Sequence, residues 1–215
     1  MAADKVIYLD NNATTMVAPE VYEAMEPFFT ELYGNPSSMH TFGGQVGVAV
    51  DRARQQVASL LGCDVAELVF TSCGTESDST AILSALKANP DKRHVITTRV
   101  EHPAVKNLCE NLGAMTGTKY RVTMLKVSED GLVDFDEYVK ALTEDTAIVS
   151  IMWANNETGV LFPVPEMAKA AKERGILFHT DAVQAVGKIP INLQELDVDY
   201  LSMSGHKLHA PKGVG

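Results

Sequence analysis

The stretch AIVSIMWANNETGVLFPVPEMAKAAKERGILFHTDAVQ, residues 147–184, decides the fold. AIVSIMW (147–153) is apolar on both faces instead of alternating, the pattern of a strand covered from two sides. PVPEMAKAAKERG (163–175) then puts Val164, Met167, Ala168 and Ala171 on one face of a helix and ends at a glycine. ILFHT (176–180) is a second apolar strand, and it stops at Asp181. Strand, helix and strand in this order make a parallel crossover unit.

The alternation extends in both directions. Further strands are expected at VIYL (6–9), ELVFT (67–71), HVITT (94–98), YRVTMLKV (120–127) and YLSMS (200–204). Helices are expected at 19–32, 76–88, 103–113 and 134–142. One more should follow the loop GNPSSMHTFGG (34–44), carrying Val46, Val50, Ala53, Val57, Leu60 and Leu61 on one side with Gly62 as its stop. The expectation is an α/β fold with a largely parallel sheet flanked by helices. No internal repeat or linker divides it.

Composition narrows the function. The 215 residues are 46% apolar, enough for one sizeable core. A charged fraction of 21% without low-complexity runs argues against disorder. A net charge of -10 disfavours a broad nucleic-acid surface. Three cysteines, no CxxC and no apolar leader in MAADKVIYLD point to a reducing, cytoplasmic setting. No apolar run reaches the roughly 18 residues of a membrane span. No second histidine stands at zinc-ligand spacing from His102, and no acidic partner follows His206 and His209, so no metal is expected.

Ligands of open α/β sheets bind beyond the carboxyl ends of the strands. The residues just after each strand are therefore informative. Ser72-Cys73-Gly74-Thr75 comes after ELVFT, Glu101-His102 lies beyond HVITT, and Asn155-Asn156 comes after AIVSIMW. Asp181 and Gln184 come after ILFHT, and Gly205-His206-Lys207 after YLSMS. Each has an ordinary reading by itself: Gly74-Thr75 as a helix cap, Asp181 likewise, His102 as a core histidine, Lys207 as a solvated charge. Together they supply an anion-binding helix start, an acid, an amide, an imidazole and an amine on one rim. Pyridoxal 5'-phosphate requires such a set. The glycine fingerprints of nucleotide sites are absent.

In order along the chain, YLDNNATT (8–15), GNPSSMH (34–40), FTSCGTESD (70–78), EHPAV (101–105), WANNETG (153–159), HTDAVQAVG (179–187) and SGHKLHAPKG (204–213) resemble cysteine desulfurases of the nitrogen-fixation type. These are pyridoxal phosphate enzymes of aminotransferase class V. The resemblance implies the aspartate-aminotransferase fold, with a mostly parallel, seven-stranded type of sheet. Residues 1–15 would belong with a small domain, and 16–215 would form an incomplete large, cofactor-binding domain.

The resemblance also implies roles. Lys207 would bond covalently to the cofactor and act as the base, and His102 would stack on the ring and assist proton transfers. Asp181 would hold the ring nitrogen protonated, and Gln184 would bond the phenolic oxygen. Gly74, Thr75, Ser204 and His206 would hold the phosphate. Asn156 would lie near the ring and the substrate carboxylate, with Asn12 and Ala13 close to the substrate. The implied reaction converts L-cysteine to L-alanine and an enzyme persulfide for iron–sulfur cluster assembly, here that of nitrogenase. A homodimer and an iron–sulfur scaffold protein as sulfur acceptor are the implied partners.

In such enzymes the persulfide cysteine and a carboxylate-binding arginine come well after the lysine, beyond Gly215 here. The chain is therefore expected to be a truncated N-terminal portion. Cys63, Cys73 and Cys109 do not match the catalytic position and are expected to be small buried hydrophobes. The alternatives are a selenocysteine lyase or related pyridoxal phosphate enzyme, and a cofactor-binding chain without catalysis.

Overall fold

The computed structural model describes residues 6–114 and 120–215. Residues 1–5 of the expected N-terminal segment lie outside the described residues. The strands are β1 (His94–Thr98), β2 (Arg121–Leu125), β3 (Thr146–Ser150), β4 (Leu177–Asp181) and β5 (Tyr200–Ser202). They form one sheet in the order β2-β1-β3-β4-β5, and every neighbouring pair is parallel. The helices are α1 (Pro19–Met25), α2 (Pro27–Thr30), α3 (Thr41–Leu61), α4 (Gly74–Ala88), α5 (Pro103–Ala114), α6 (Phe135–Ala141) and α7 (Val164–Lys172).

Neighbouring residues of one strand feed opposite faces. Val95 and Ile148 pack with Ile82 and Ala85 of α4 and Val105 and Cys109 of α5. Ile96 and Val149 pack with Tyr138 of α6 and Met167, Ala168 and Ala171 of α7. Both faces of the sheet are thus dry, which explains why its strands show no apolar–polar alternation. Tyr138 is fully buried, and its hydroxyl donates to the Met167 carbonyl at 2.7 Å. Tyr138→Phe should cost about 1 kcal/mol, the net worth of one such bond, measured by urea unfolding.

Two expected strands do not form. Val6–Leu9 pairs with no described strand, and Val6, Ile7 and Leu9 are 84%, 79% and 87% exposed. Val65–Glu67 instead makes a 3-10 turn closed by a reciprocal Asp64–Glu67 capping box. Beyond it, Thr71 and Gly215 exchange backbone hydrogen bonds at 2.8 and 2.9 Å, a single pair and no ladder. Among the described residues five strands form, in keeping with an incomplete, mostly parallel sheet of the type that the resemblance implied. The helix expected over 19–32 is split at Glu26, because Pro27 has no N–H to continue the ladder. Gly62 ends α3 in the left-handed region at φ 69°, a stop that suits glycine.

The chain runs from β1 to β2 on one side and returns to β3 on the other. The strand order therefore reverses at β1, and a crevice opens beyond the carboxyl ends of β1 and β3. Glu101 spans it, since both of its carboxylate oxygens accept the Met152 N–H at 3.1 and 3.0 Å.

Candidate active site

A cleft of about 430 Å³ lies at this rim. Its walls come from the strand ends, the start of α4 and the Asp10–Ala13 loop. Lys207, His102, Gly74, Thr75, Asn156, Asp181, Gln184, Ser204, His206, Asn12 and Ala13 all line it. The cleft therefore gathers each residue to which the resemblance gave a role.

The start of α4 is open. Cys73 occupies the N-cap position with extended backbone and makes no side-chain capping bond. Ser72 donates its hydroxyl and its N–H to Glu76, both at 2.6 Å. The first N–H groups of α4 and the helix dipole stand at the cleft wall with Gly74 and Thr75, the donor set an anion needs. A side chain at Gly74 would crowd Val183 and Ser204, because its Cβ would come within 3.2 and 3.5 Å of them. The glycine lets the helix start approach β5 closely.

Asp181 ends β4 and is buried. Its Oδ1 accepts the Val183 N–H at 3.0 Å. Burial raises its pKa, while that N–H, His102 and Lys207 draw it back down. A cationic ring nitrogen would complete this carboxylate. His102 is exposed, and its Nδ1 accepts the Ala104 N–H at 3.2 Å, which leaves Nε2 free. Lys207 sits in a 3-10 turn after β5. Its Nζ donates to the carbonyls of Asn12 and Ala13, the latter at 2.9 Å. Burial and then the charge of Lys188 push the Lys207 amine below its usual range, against the pull of Asp181, Asp10 and Glu157.

The loop that carries Asn12 is tied to the lysine turn. Thr15 donates its N–H and hydroxyl to the His206 carbonyl at 3.0 and 2.8 Å, and the Ala18 N–H reaches the His209 carbonyl at 2.9 Å. Gln184 Nε2 donates to the Asn12 carbonyl at 2.8 Å, while Lys188 Nζ donates to Gln184 Oε1. The amide is thereby oriented with its NH₂ toward the cleft. Asn155 shapes the turn below Asn156, because its Oδ1 accepts the N–H groups of Glu157 and Thr158, each at 2.9 Å.

Sequence reading missed three features. Asp78 and Glu101 are buried, and Asp78 lines the cleft. Asp78 could have been noticed as a charge on the buried stripe of α4, which it shares with Gly74, Ala81, Ile82 and Ala85. Cys73, expected as a buried hydrophobe, is instead exposed at the cleft wall. The N–H of Glu76, the Ser72 hydroxyl and the N–H of Thr75 draw its pKa down. Cys109 is buried as expected and its thiol is pushed up to about 12, while Cys63 is only partly buried. Among the described residues no group of three metal-ligating side chains occurs, and no helix is long and apolar enough to cross a membrane.

The donor set fits pyridoxal phosphate on the structure's own terms. It offers an uncapped helix start for the phosphate, a buried carboxylate for the ring nitrogen and an amine of depressed basicity.

Comparison with known proteins agrees with the fold. The sequence pattern of the Aminotransferase class-V family matches residues 7–215. A cysteine desulfurase of Trichormus azollae is 61% identical over 210 residues, covering 98% of this chain and 52% of that protein. A solved structure titled NifS-like protein superposes with a TM-score of 0.92 at 43% identity, covering 97% of this chain and 57% of that one. A second, titled SspA in complex with cysteine, gives 0.92 at 36% identity, covering 98% of this chain and 60% of that one. The chain spans about half the length of the curated relatives it matches.

Proposed function

Because the chain belongs to the aminotransferase class-V family, we propose that it is the cofactor-binding part of a cysteine desulfurase, which takes sulfur from L-cysteine and releases L-alanine. The observation that carries this reading is the convergence of Lys207, Asp181, His102, Gln184 and the open start of α4 on one cleft. The names of the relatives support the same substrate.

When bound, pyridoxal phosphate supplies an electron sink for the charge left at the substrate Cα. The chain's own groups provide the rest. The N–H groups at the start of α4, with Thr75, Ser204 and His206, hold the phosphate. Asp181 stays ionised against the ring nitrogen and stabilises the charge that develops there. Gln184 donates its amide hydrogen to the phenolic oxygen. Lys207, with its basicity lowered by burial and by Lys188, is the covalent anchor. As a free amine, Nζ would take the Cα proton. His102 would cover the ring, with Nε2 available to carry a proton. Asn156, Asn12 and Ala13 border the substrate.

The persulfide-forming thiol and the carboxylate-binding arginine are assigned to the half of the enzyme that the matched relatives have beyond this chain. The sulfur is passed to an iron–sulfur scaffold protein, that of nitrogenase assembly by the resemblance of the motifs. A homodimer is part of the same reading, and the exposed Phe29, Tyr33 and Val48 are apolar surface that a partner would cover. Full-length protein supplied with pyridoxal phosphate and L-cysteine should release L-alanine and carry a persulfide. Release from L-selenocysteine alone would overturn the substrate assignment.

A further inference from the structure

Asp78 is 1% exposed, yet it lines the cleft. Its Oδ1 has no hydrogen-bond partner. The Ser202 hydroxyl is the one neighbouring group that draws its pKa down against burial. His179 Nε2 stands 3.5 Å from Oδ1, but that ring is already committed. Its Nδ1 pairs with the Ser150 hydroxyl at 2.8 Å and its Nε2 with the Ser202 hydroxyl at 2.9 Å. Burial holds His179 down to about 3, so it is neutral and gives Asp78 no counter-charge.

Asp78 also faces other acids. Asp181 approaches from β4, Glu101 from the end of β1 and Cys73 from the start of its own helix, and each of them disfavours a charge on Asp78. Two neighbouring buried carboxyls cannot both ionise cheaply. The charge settles where the better partners are. Asp181 has the Val183 N–H and the nearby His102 and Lys207, whereas Asp78 has one hydroxyl and an unpartnered oxygen.

We propose that Asp78 is a positioning residue that stays uncharged beneath the cleft and so fixes the negative charge of the Asp78–Asp181 pair on Asp181. The proposal rests on the pyridoxal phosphate reading of the cleft, because the charge on Asp181 is what the ring nitrogen meets. An ionised Asp78 would drive the shared proton onto Asp181 and remove that charge.

The test is made on full-length protein. Burial and its acidic neighbours raise Asp78 from 3.8 to about 8. Between those values the unfolded chain has lost the proton that the folded one keeps. Asp78 therefore lowers stability progressively as pH rises from about 4 to about 8. In Asp78→Asn this loss should be absent, so the thermal midpoints of variant and wild type diverge in the variant's favour toward pH 8. Burial raises Glu101 to about 8 as well, so infrared spectra are taken on cofactor-free Glu101→Gln protein at pH 7, where a protonated-carboxyl band is expected that adding Asp78→Asn removes.

A band that survives in Glu101→Gln/Asp78→Asn, or midpoints of Asp78→Asn and wild type that run parallel with pH, would overturn the proposal. If Asp78→Asn does not fold, the double variant Glu101→Gln/Asp181→Asn leaves Asp78 as the last of the three buried carboxyls. A protonated-acid band at pH 7 is then expected, and its absence contradicts the proposal. Failure of every form to bind pyridoxal phosphate would contradict the functional reading, while the band would still decide Asp78.

Discussion

Lys207→Ala is expected to abolish turnover, with a loss on the order of 10⁴-fold or more, because one atom serves as both covalent anchor and base. The structure explains why this amine is suited to both tasks. It is partly buried, Lys188 disfavours a second positive charge beside it, and two backbone carbonyls hold it in place. Desolvation and like charge leave more of the neutral, nucleophilic form near neutral pH than a solvated lysine has. The variant should keep its fold, since Lys207 lies on a half-buried turn and joins no core cluster. It should also lose the visible absorbance of the bound cofactor. Near-normal alanine release by Lys207→Ala would remove the residue from the chemistry.

Asp181→Ala should be nearly as damaging for a different reason. The phosphate cradle at the start of α4 is untouched, so the cofactor still binds. Without the buried carboxylate, nothing holds the proton on the ring nitrogen, and the electron sink weakens. A loss of about 10²–10³-fold in kcat is expected for removal of a preorganised charge of this kind. KM for L-cysteine should change far less, because Asp181 lies under the ring and does not face the substrate in this reading. Steady-state kinetics on cofactor-saturated protein measures both. A change confined to KM would place Asp181 in substrate binding instead.

The architecture was legible because its strands are dry on both faces and its helices carry one apolar stripe. AIVSIMW, ILFHT and PVPEMAKAAKERG show both patterns in one stretch, and the structure has β3, α7 and β4 there. VIYL and ELVFT carry strand composition too, but a strand also needs a partner edge, and pairing is not written in the local residues. Thr71 finds one partner residue, and Val6–Leu9 finds none among the described residues. The rim of the cleft was legible because the chemistry sits at the strand ends, so Asp181, His102 and Lys207 could be read in order. Asp78 and Glu101 were not, because a single acid in a helix or after a strand reads as a solvated charge. Their burial arises only when α4 and the ends of β1 and β3 come together. The pairing of Lys188 with Gln184 was hidden for the same reason, since it depends on how the turn after β4 folds back.

The central claim is that the cleft holds pyridoxal phosphate on Lys207. Borohydride reduction of the cofactor-loaded, full-length protein, followed by digestion and peptide mass spectrometry, tests it most directly. The account predicts one phosphopyridoxyl group, located on Lys207. A label on Lys188, the other amine that reaches this network, or no label at all, would contradict it.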